Sequence, residues 1–125
     1  MKTVADVMAR EVISIDADRT VSEAVALMKR RNISSLLVDR DSSVDAFGIV
    51  TENDVINEVV ALGRDPKATK VREIMSKPIV TIPPECSLKD CAHLMSQRDV
   101  RRLPVFDGRR VIGIVSSTDI FDVTE

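Results

Sequence analysis

The sequence predicts a mixed α/β (α+β) fold in which one β-α-β-β-α unit is written twice and packed with approximate two-fold symmetry. Three observations carry this. Met75 lies 67 positions after Met8, and from there the halves align almost to the end of the chain. The stretch at residues 48–55, GIVTENDV, returns at 113–120 as GIVSSTDI. Between these marks the apolar spacing alternates between a period of two and a helical period, in the same order in each half.

In chain order, Thr3 is placed to cap a short leading turn through Met8, and residues 12–15 alternate as a strand. Thr20 then caps a helix to about Arg31, with Val21, Ala24, Val25, Leu27 and Met28 on one apolar face. That face reads as core. Residues 35–38 form a second strand, the polar residues 39–45 its loop, and 46–50 a third strand. The closing helix runs over about 52–62, with Val55, Ile56, Val59 and Val60 expected inward.

Residues 63–70, GRDPKATK, have the Gly, Pro and charge of a linker, which divides the chain into repeats at 1–62 and 71–125. The second repeat follows the same plan: a leading turn at 71–75, a strand near 79–82, a helix over 87–97, strands near 103–106 and 111–115, and a last helix from Ser117. Pro83 and Pro84 keep the residues before them extended. Asp107-Gly108 is a hairpin turn signal. From the second strand to the third the spacing between repeats falls from 67 to 65, so the first repeat carries two additional residues in what should be a surface loop.

At 125 residues the chain is long enough to bury a core without staples, and 44% apolar with 30% charged residues describes a soluble globular protein. A net charge of −2 gives no general drive toward nucleic acid or anionic membrane. Tyr and Trp are absent and Phe occurs three times, which disfavours base-stacking platforms. No apolar run approaches the roughly 20 residues of a membrane span. The first residues, MKTVADVMARE, lack a signal-peptide core, so a cytoplasmic protein is expected. Cys86 and Cys91 suggest neither a disulfide framework nor a zinc site; Cys91 aligns with Ala24 and reads as a small buried residue. His93 is the only histidine and has no visible catalytic partner. No metal-ligand set, nucleophile and base pair or Gly-rich phosphate loop is visible, so catalysis is not expected.

The duplicated Thr51-x-x-Asp54 and Ser116-x-x-Asp119 segments admit two compatible readings. As helix caps, the hydroxyl accepts an early backbone N–H and the carboxylate favours the positive end of the helix. As a binding element, helix-start N–H groups suit a phosphate, while an ionised aspartate accepts from a donor pair such as a ribose diol.

The leading turns ending VMAREVISI and IMSKPIVTI, the RRLPVFD strand at 101–107 and the two G-I-V-[TS]-x-x-D segments resemble a tandem pair of cystathionine-β-synthase (CBS) domains, a Bateman module. The resemblance covers nearly the whole chain. It implies a regulatory module for adenosine-containing ligands such as AMP, ADP, ATP or S-adenosylmethionine, commonly a homodimer, with no obligatory cofactor. It further implies that Asp54 and Asp119 hold ribose hydroxyls beside Thr51 and Ser116, and that adenine meets the first strands, Ile13, Ser14 and Ile15 in one repeat and Val80, Thr81 and Ile82 in the other. A cleft is then expected to combine the aspartate segment of one repeat with the first and second strands of the other.

Just before the second strand the repeats differ, with Ser34-Ser35 in the first and Arg101-Arg102 in the second. A phosphate beside an aspartate needs cations, and guanidinium groups can grip it bidentately. By the crossing, the Asp54 cleft acquires Arg101 and Arg102 and is expected to prefer AMP, ADP or ATP. The Asp119 cleft faces the serines and is expected to be weaker, empty or suited to an uncharged adenosine group. The leading expectation is an adenine-nucleotide sensor that signals to a downstream protein. The alternative is a ligand-free dimerisation or docking module in which both segments are only caps. Nucleic-acid binding has local support from Arg101, Arg102, Arg109 and Arg110 but little from the overall charge.

Overall fold

A computed structural model describes residues 2–39, 47–76 and 80–125. In chain order the elements are α1 (Val4–Val7), β1 (Ser14–Ile15), α2 (Val21–Arg31), β2 (Ser35–Val38), β3 (Gly48–Thr51), α3 (Glu52–Val55), a π-helical turn (Ile56–Val60), a 3₁₀ turn (Val71–Glu73), α4 (Leu88–Arg98), β4 (Arg102–Phe106), β5 (Val111–Ser116) and α5 (Ser117–Asp122). The chain forms two compact units, Ile13–Ile79 and the combination of Met1–Val12 with Val80–Glu125.

In the contiguous unit, β1 runs parallel to β2, and β2 pairs antiparallel with β3 in a register that sets Leu37 against Ile49. On the far edge of β3, Ser76 and Ile49 exchange two backbone hydrogen bonds, at 2.9 and 3.1 Å. The chain that follows the closing helix therefore returns as an additional edge of the sheet. Helix α2 starts where Thr20 Oγ1 accepts the Glu23 N–H at 3.1 Å, and it stops at Asn32, whose φ of 55° few other side chains tolerate. Its apolar stripe buries Val21, Ala24 and Met28 against Leu36, Val38 and Val50, with Val55, Val59, Val71 and Ile74 completing the core.

The other unit repeats this order. Ile82 bridges Val105 in parallel, β4 pairs antiparallel with β5, and Ala9 exchanges hydrogen bonds with Ile114 at 2.9 and 3.0 Å on the far edge. Ser87 Oγ caps α4 by accepting the Asp90 N–H at 3.1 Å, and Asp99, at φ 53°, ends it. The hairpin turns at Asp107, whose Oδ1 accepts the N–H groups of Arg109 and Arg110 at 2.8 and 3.0 Å, with Gly108 at φ +101°. The chain start belongs here: the Val4 N–H donates to the Cys86 carbonyl, the Ala5 N–H to that of Pro84, and Val4 and Met8 are buried with Cys91, Met95, Leu103, Val105 and Val115.

Two expectations are corrected. The closing helix of the first repeat is not uniformly α-helical, and it does not turn four valine and isoleucine side chains inward. Val55 and Val59 are buried, while Ile56 and Val60 are 51% and 62% exposed. The four-residue step keeps Val55 and Val59 on the core face, and each following residue is carried onto the neighbouring face. The first strands are also shorter than expected. β1 comprises only Ser14 and Ile15, with Ile13 joined to β2 through its carbonyl alone, and of residues 80–82 only Ile82 forms a bridge. Pro83 and Pro84 follow at once, and without N–H groups they cannot extend the ladder. The polar loop expected at 39–45 and the start of the strands expected at 46 and 79 lie largely outside the described residues.

Candidate functional site

Each unit brings one hydroxyl-aspartate segment to the end of its sheet. In the contiguous unit β3 ends at Thr51, directly opposite Ser35 at the start of β2, and the Glu52 N–H donates to the Ser34 carbonyl at 2.9 Å. The Thr51 N–H donates to Asp54 Oδ2 at 2.8 Å, and Thr51 Oγ1 accepts the Asp54 N–H at 3.2 Å. The other unit reproduces this: Ser116 faces Arg102, the Ser117 N–H donates to the Arg101 carbonyl at 2.9 Å, and Ser116 and Asp119 exchange hydrogen bonds at 2.8 and 3.1 Å. The helix-cap reading holds for both copies.

The caps leave chemistry to spare. Both aspartates are half-buried, and these hydrogen bonds engage Oδ2. An ionised carboxylate has about four acceptor positions, so Oδ1 and the remaining lone pairs suit a diol. Within its unit Asp54 shares the sheet end with Ser34 and Ser35, while Asp119 shares it with Arg101, which is exposed, and Arg102, which is half-buried. Ile13, Ser14 and Ile15 lie across β2 from Thr51, where the Leu37 N–H donates to the Ile13 carbonyl at 3.0 Å. Ile82 flanks β4 in the same way, its N–H donating to the Pro104 carbonyl at 3.0 Å, and Val80 and Thr81 lead into it.

An open groove of about 820 Å³ in the contiguous unit is absent from the sequence reading. It runs between α2 and the π-helical turn, over Val25, Met28, Val55, Ile56, Val59 and Val60, and ends at Ser34, Ser35 and Glu52. These apolar residues read as ordinary core from their spacing. Their spacing carried no signal for a groove, since exposed and buried apolar residues read alike in a helical pattern; Phe121, which aligns with Ile56, is likewise apolar and is 75% exposed in the fold.

The remaining candidates carry little chemistry. Cys91 is fully buried and burial pushes its thiol up to about 11; burial also raises Cys86, and both are free. His93 is exposed on α4. Among the described residues no group of His, Cys, Asp or Glu converges as a metal site, and no helix is long and apolar enough to cross a membrane.

Comparison with known proteins agrees with this architecture. The CBS domain model matches twice, at residues 4–61 and 71–124. The chain is 35% identical over 120 residues to the CBS domain-containing protein YhcV of Bacillus subtilis, covering 96% of this chain and 84% of that one. It is also 36% identical over 124 residues to a homoserine O-acetyltransferase of Methanohalobium evestigatum, covering 98% of this chain and 24% of that protein. Among solved structures, the hexameric CBS-CP12 protein from bloom-forming cyanobacteria superposes with a TM-score of 0.93 at 38% identity, over 100% of this chain and 72% of the other. Two matched repeats, each closing on a capped [TS]-x-x-D segment, place this chain in the CBS-domain family as a tandem CBS pair.

Proposed function

We propose that this tandem CBS pair is a sensor for adenosine nucleotides of the AMP, ADP or ATP type that passes its ligand state to a partner protein. CBS-domain proteins are in general regulatory ligand-binding modules. A match to about a quarter of an acetyltransferase is in keeping with a module that can accompany other activities. The observation that carries the reading is the duplicated half-buried aspartate whose Oδ2 is tied into its own cap while Oδ1 stays available to a ribose diol. Thr51 and Ser116 orient these carboxylates, backbone at Ile13, Ser14 and Ile15 and at Val80, Thr81 and Ile82 meets adenine, and Arg101 and Arg102 supply phosphate charge. Signalling requires the ligand to bind one conformation or assembly better than another.

Thermal melting with AMP, ADP, ATP, S-adenosylmethionine and buffer alone tests this, because a ligand specific to the folded state raises the melting temperature. Replacing Asp54 by Ala removes charge-assisted hydrogen bonds of about 1.5–3 kcal/mol, roughly ten- to more than hundred-fold in affinity. A nucleotide shift lost in Asp54→Ala supports the assignment, and unchanged affinity in both Asp54→Ala and Asp119→Ala ends it. A double-mutant cycle of Arg102→Ala with each aspartate variant reports which carboxylate shares its ligand with the arginines. The expected coupling is with Asp54; coupling with Asp119 would assign the phosphate to the aspartate beside Arg102 in its own unit.

A further inference from the structure

The methionines at 8, 28, 75 and 95 differ in what shields them. Met8, Met28 and Met95 are no more than 7% exposed, whereas Met75 is half-buried. Its thioether lies over Gly48, with Sδ 2.9 Å and Cγ 3.5 Å from the position a Cβ there would take, and the side chain packs against the apolar core of the contiguous unit. Met8 takes the equivalent place over Gly113 in the other unit but is closed off from solvent. The duplication thus holds one contact twice, once shielded and once within reach of a solute. The residue after Met75 carries the pairing: the Ser76 N–H donates to the Ile49 carbonyl at 2.9 Å, and the Ile49 N–H to that of Ser76 at 3.1 Å. Ile49 stands two residues before Thr51, whose N–H holds Asp54.

We propose that Met75 is a redox modification site, at which oxidation by a peroxide to the sulfoxide releases Ser76 from the β3 edge and loosens the strand that ends in the Thr51-Asp54 cap. A lone pair of Sδ attacks one peroxide oxygen, and the S–O bond forms as the O–O bond breaks. With hydrogen peroxide the other oxygen leaves as water. Sulfur loses two electrons and the peroxide gains them. The product is polar where the thioether was apolar, and bulkier at sulfur. The core beside Met75 is apolar, so an oxygen buried there without a donor is less favourable than one turned outward to water. Turning outward lifts the thioether off Gly48 and draws the adjoining Ser76 away from Ile49. Methionine sulfoxide reductases reverse the step at the expense of thiols, which leave as a disulfide while the oxygen leaves as water. The inference rests on this packing and not on the nucleotide reading.

Dilute hydrogen peroxide followed by peptide mapping tests the site. Met75 gains one oxygen about tenfold or more faster than Met8, Met28 and Met95, because oxidation follows exposure. In protein oxidised at Met75, the amides of Ile49 and Ser76 exchange hydrogen about tenfold or more faster, while those of Ala9 and Ile114 keep their protection. The two epimer-specific methionine sulfoxide reductases together restore the original exchange. Met75→Leu, a swap of similar volume, keeps its protection after the same peroxide dose. Should Met75→Leu misfold, recovery under the reductases decides by itself. Equal oxidation rates at Met75 and Met8 overturn the proposal. So do unchanged exchange at Ile49 and Ser76 in the sulfoxide, a loss that spreads equally to Ala9 and Ile114, or the same loss in Met75→Leu.

Discussion

Met8 lies over Gly113: its Sδ is 2.5 Å, and the Ala9 carbonyl oxygen 2.8 Å, from the position a Cβ on that glycine would take. Met75 lies over Gly48 in the other unit in the same way, with Sδ at 2.9 Å and the Ser76 oxygen at 3.2 Å. The glycine that opens each G-I-V segment is thus the floor on which a leading-turn methionine rests. Its absent side chain lets the leading segment approach β3 or β5 closely enough to exchange backbone hydrogen bonds.

Gly113→Ala should destabilise the protein by about 1–3 kcal/mol, as overpacking against backbone does. Gly48→Ala should cost less, because the backbone oxygen it meets, that of Ser76, stands at 3.2 Å and only the flexible end of Met75 comes closer, whereas at Gly113 the Ala9 oxygen itself is at 2.8 Å. Urea denaturation of the two variants checks the order; equal costs would contradict it.

Residues 1–12 complete the unit formed by 80–125, so removal of residues 1–9 should damage that unit first. It deletes buried Val4 and Met8 and both hydrogen bonds to Ile114. Hydrogen exchange should show amides of β4 and β5 losing protection before those of β2 and β3. Val4→Ala alone should cost about 1–3 kcal/mol.

Glu73 accepts the Lys70 N–H at 2.7 Å and Arg64 at 2.6 Å, which holds its carboxyl below its ordinary value of 4.5. Asp6, Glu23 and Asp107 are lowered chiefly by backbone N–H donors of Thr3, of Thr20, and of Arg110 and Arg109. A group depressed in the folded state contributes stability above its unfolded value and loses it as pH falls through the folded one. Melting temperature should therefore drop from about pH 4.5 downward, and Glu73→Gln should flatten that slope.

Ser116→Ala and Thr51→Ala remove the hydroxyl that caps each closing helix and should each cost about 1 kcal/mol without ligand. Under the nucleotide reading, Asp54→Ala should in addition lower affinity beyond any change in stability. Isothermal titration beside melting separates the two effects.

Cys91 should resist iodoacetamide at pH 8, where a thiol near 11 is ionised to only about 0.1%. Cys86, half-buried and raised less, should react first but more slowly than a free thiol. Mass spectrometry before and after denaturation checks this, with both sites alkylated only in the unfolded chain.

The repeat, the element order, the capped helices and the hairpin at Asp107-Gly108 were determined by the sequence alone. Each rests on local physics: a Thr or Ser followed three residues later by Asp or Glu, an apolar face at helical spacing, and an Asp-Gly turn act over a few residues. Tertiary structure decided what depends on partners distant in the chain. Only the fold shows that the first leading turn packs with residues 80–125, because a methionine does not reveal which glycine it covers. Only the fold separates Val55 and Val59 from Ile56 and Val60, since all four fit an apolar helical pattern and burial is settled by what packs above each. The candidate site divides the same way. The aspartates and their caps follow from sequence spacing, whereas strand pairing decides that Ser35 faces Thr51 and Arg102 faces Ser116, and so which charges each carboxylate meets within its unit.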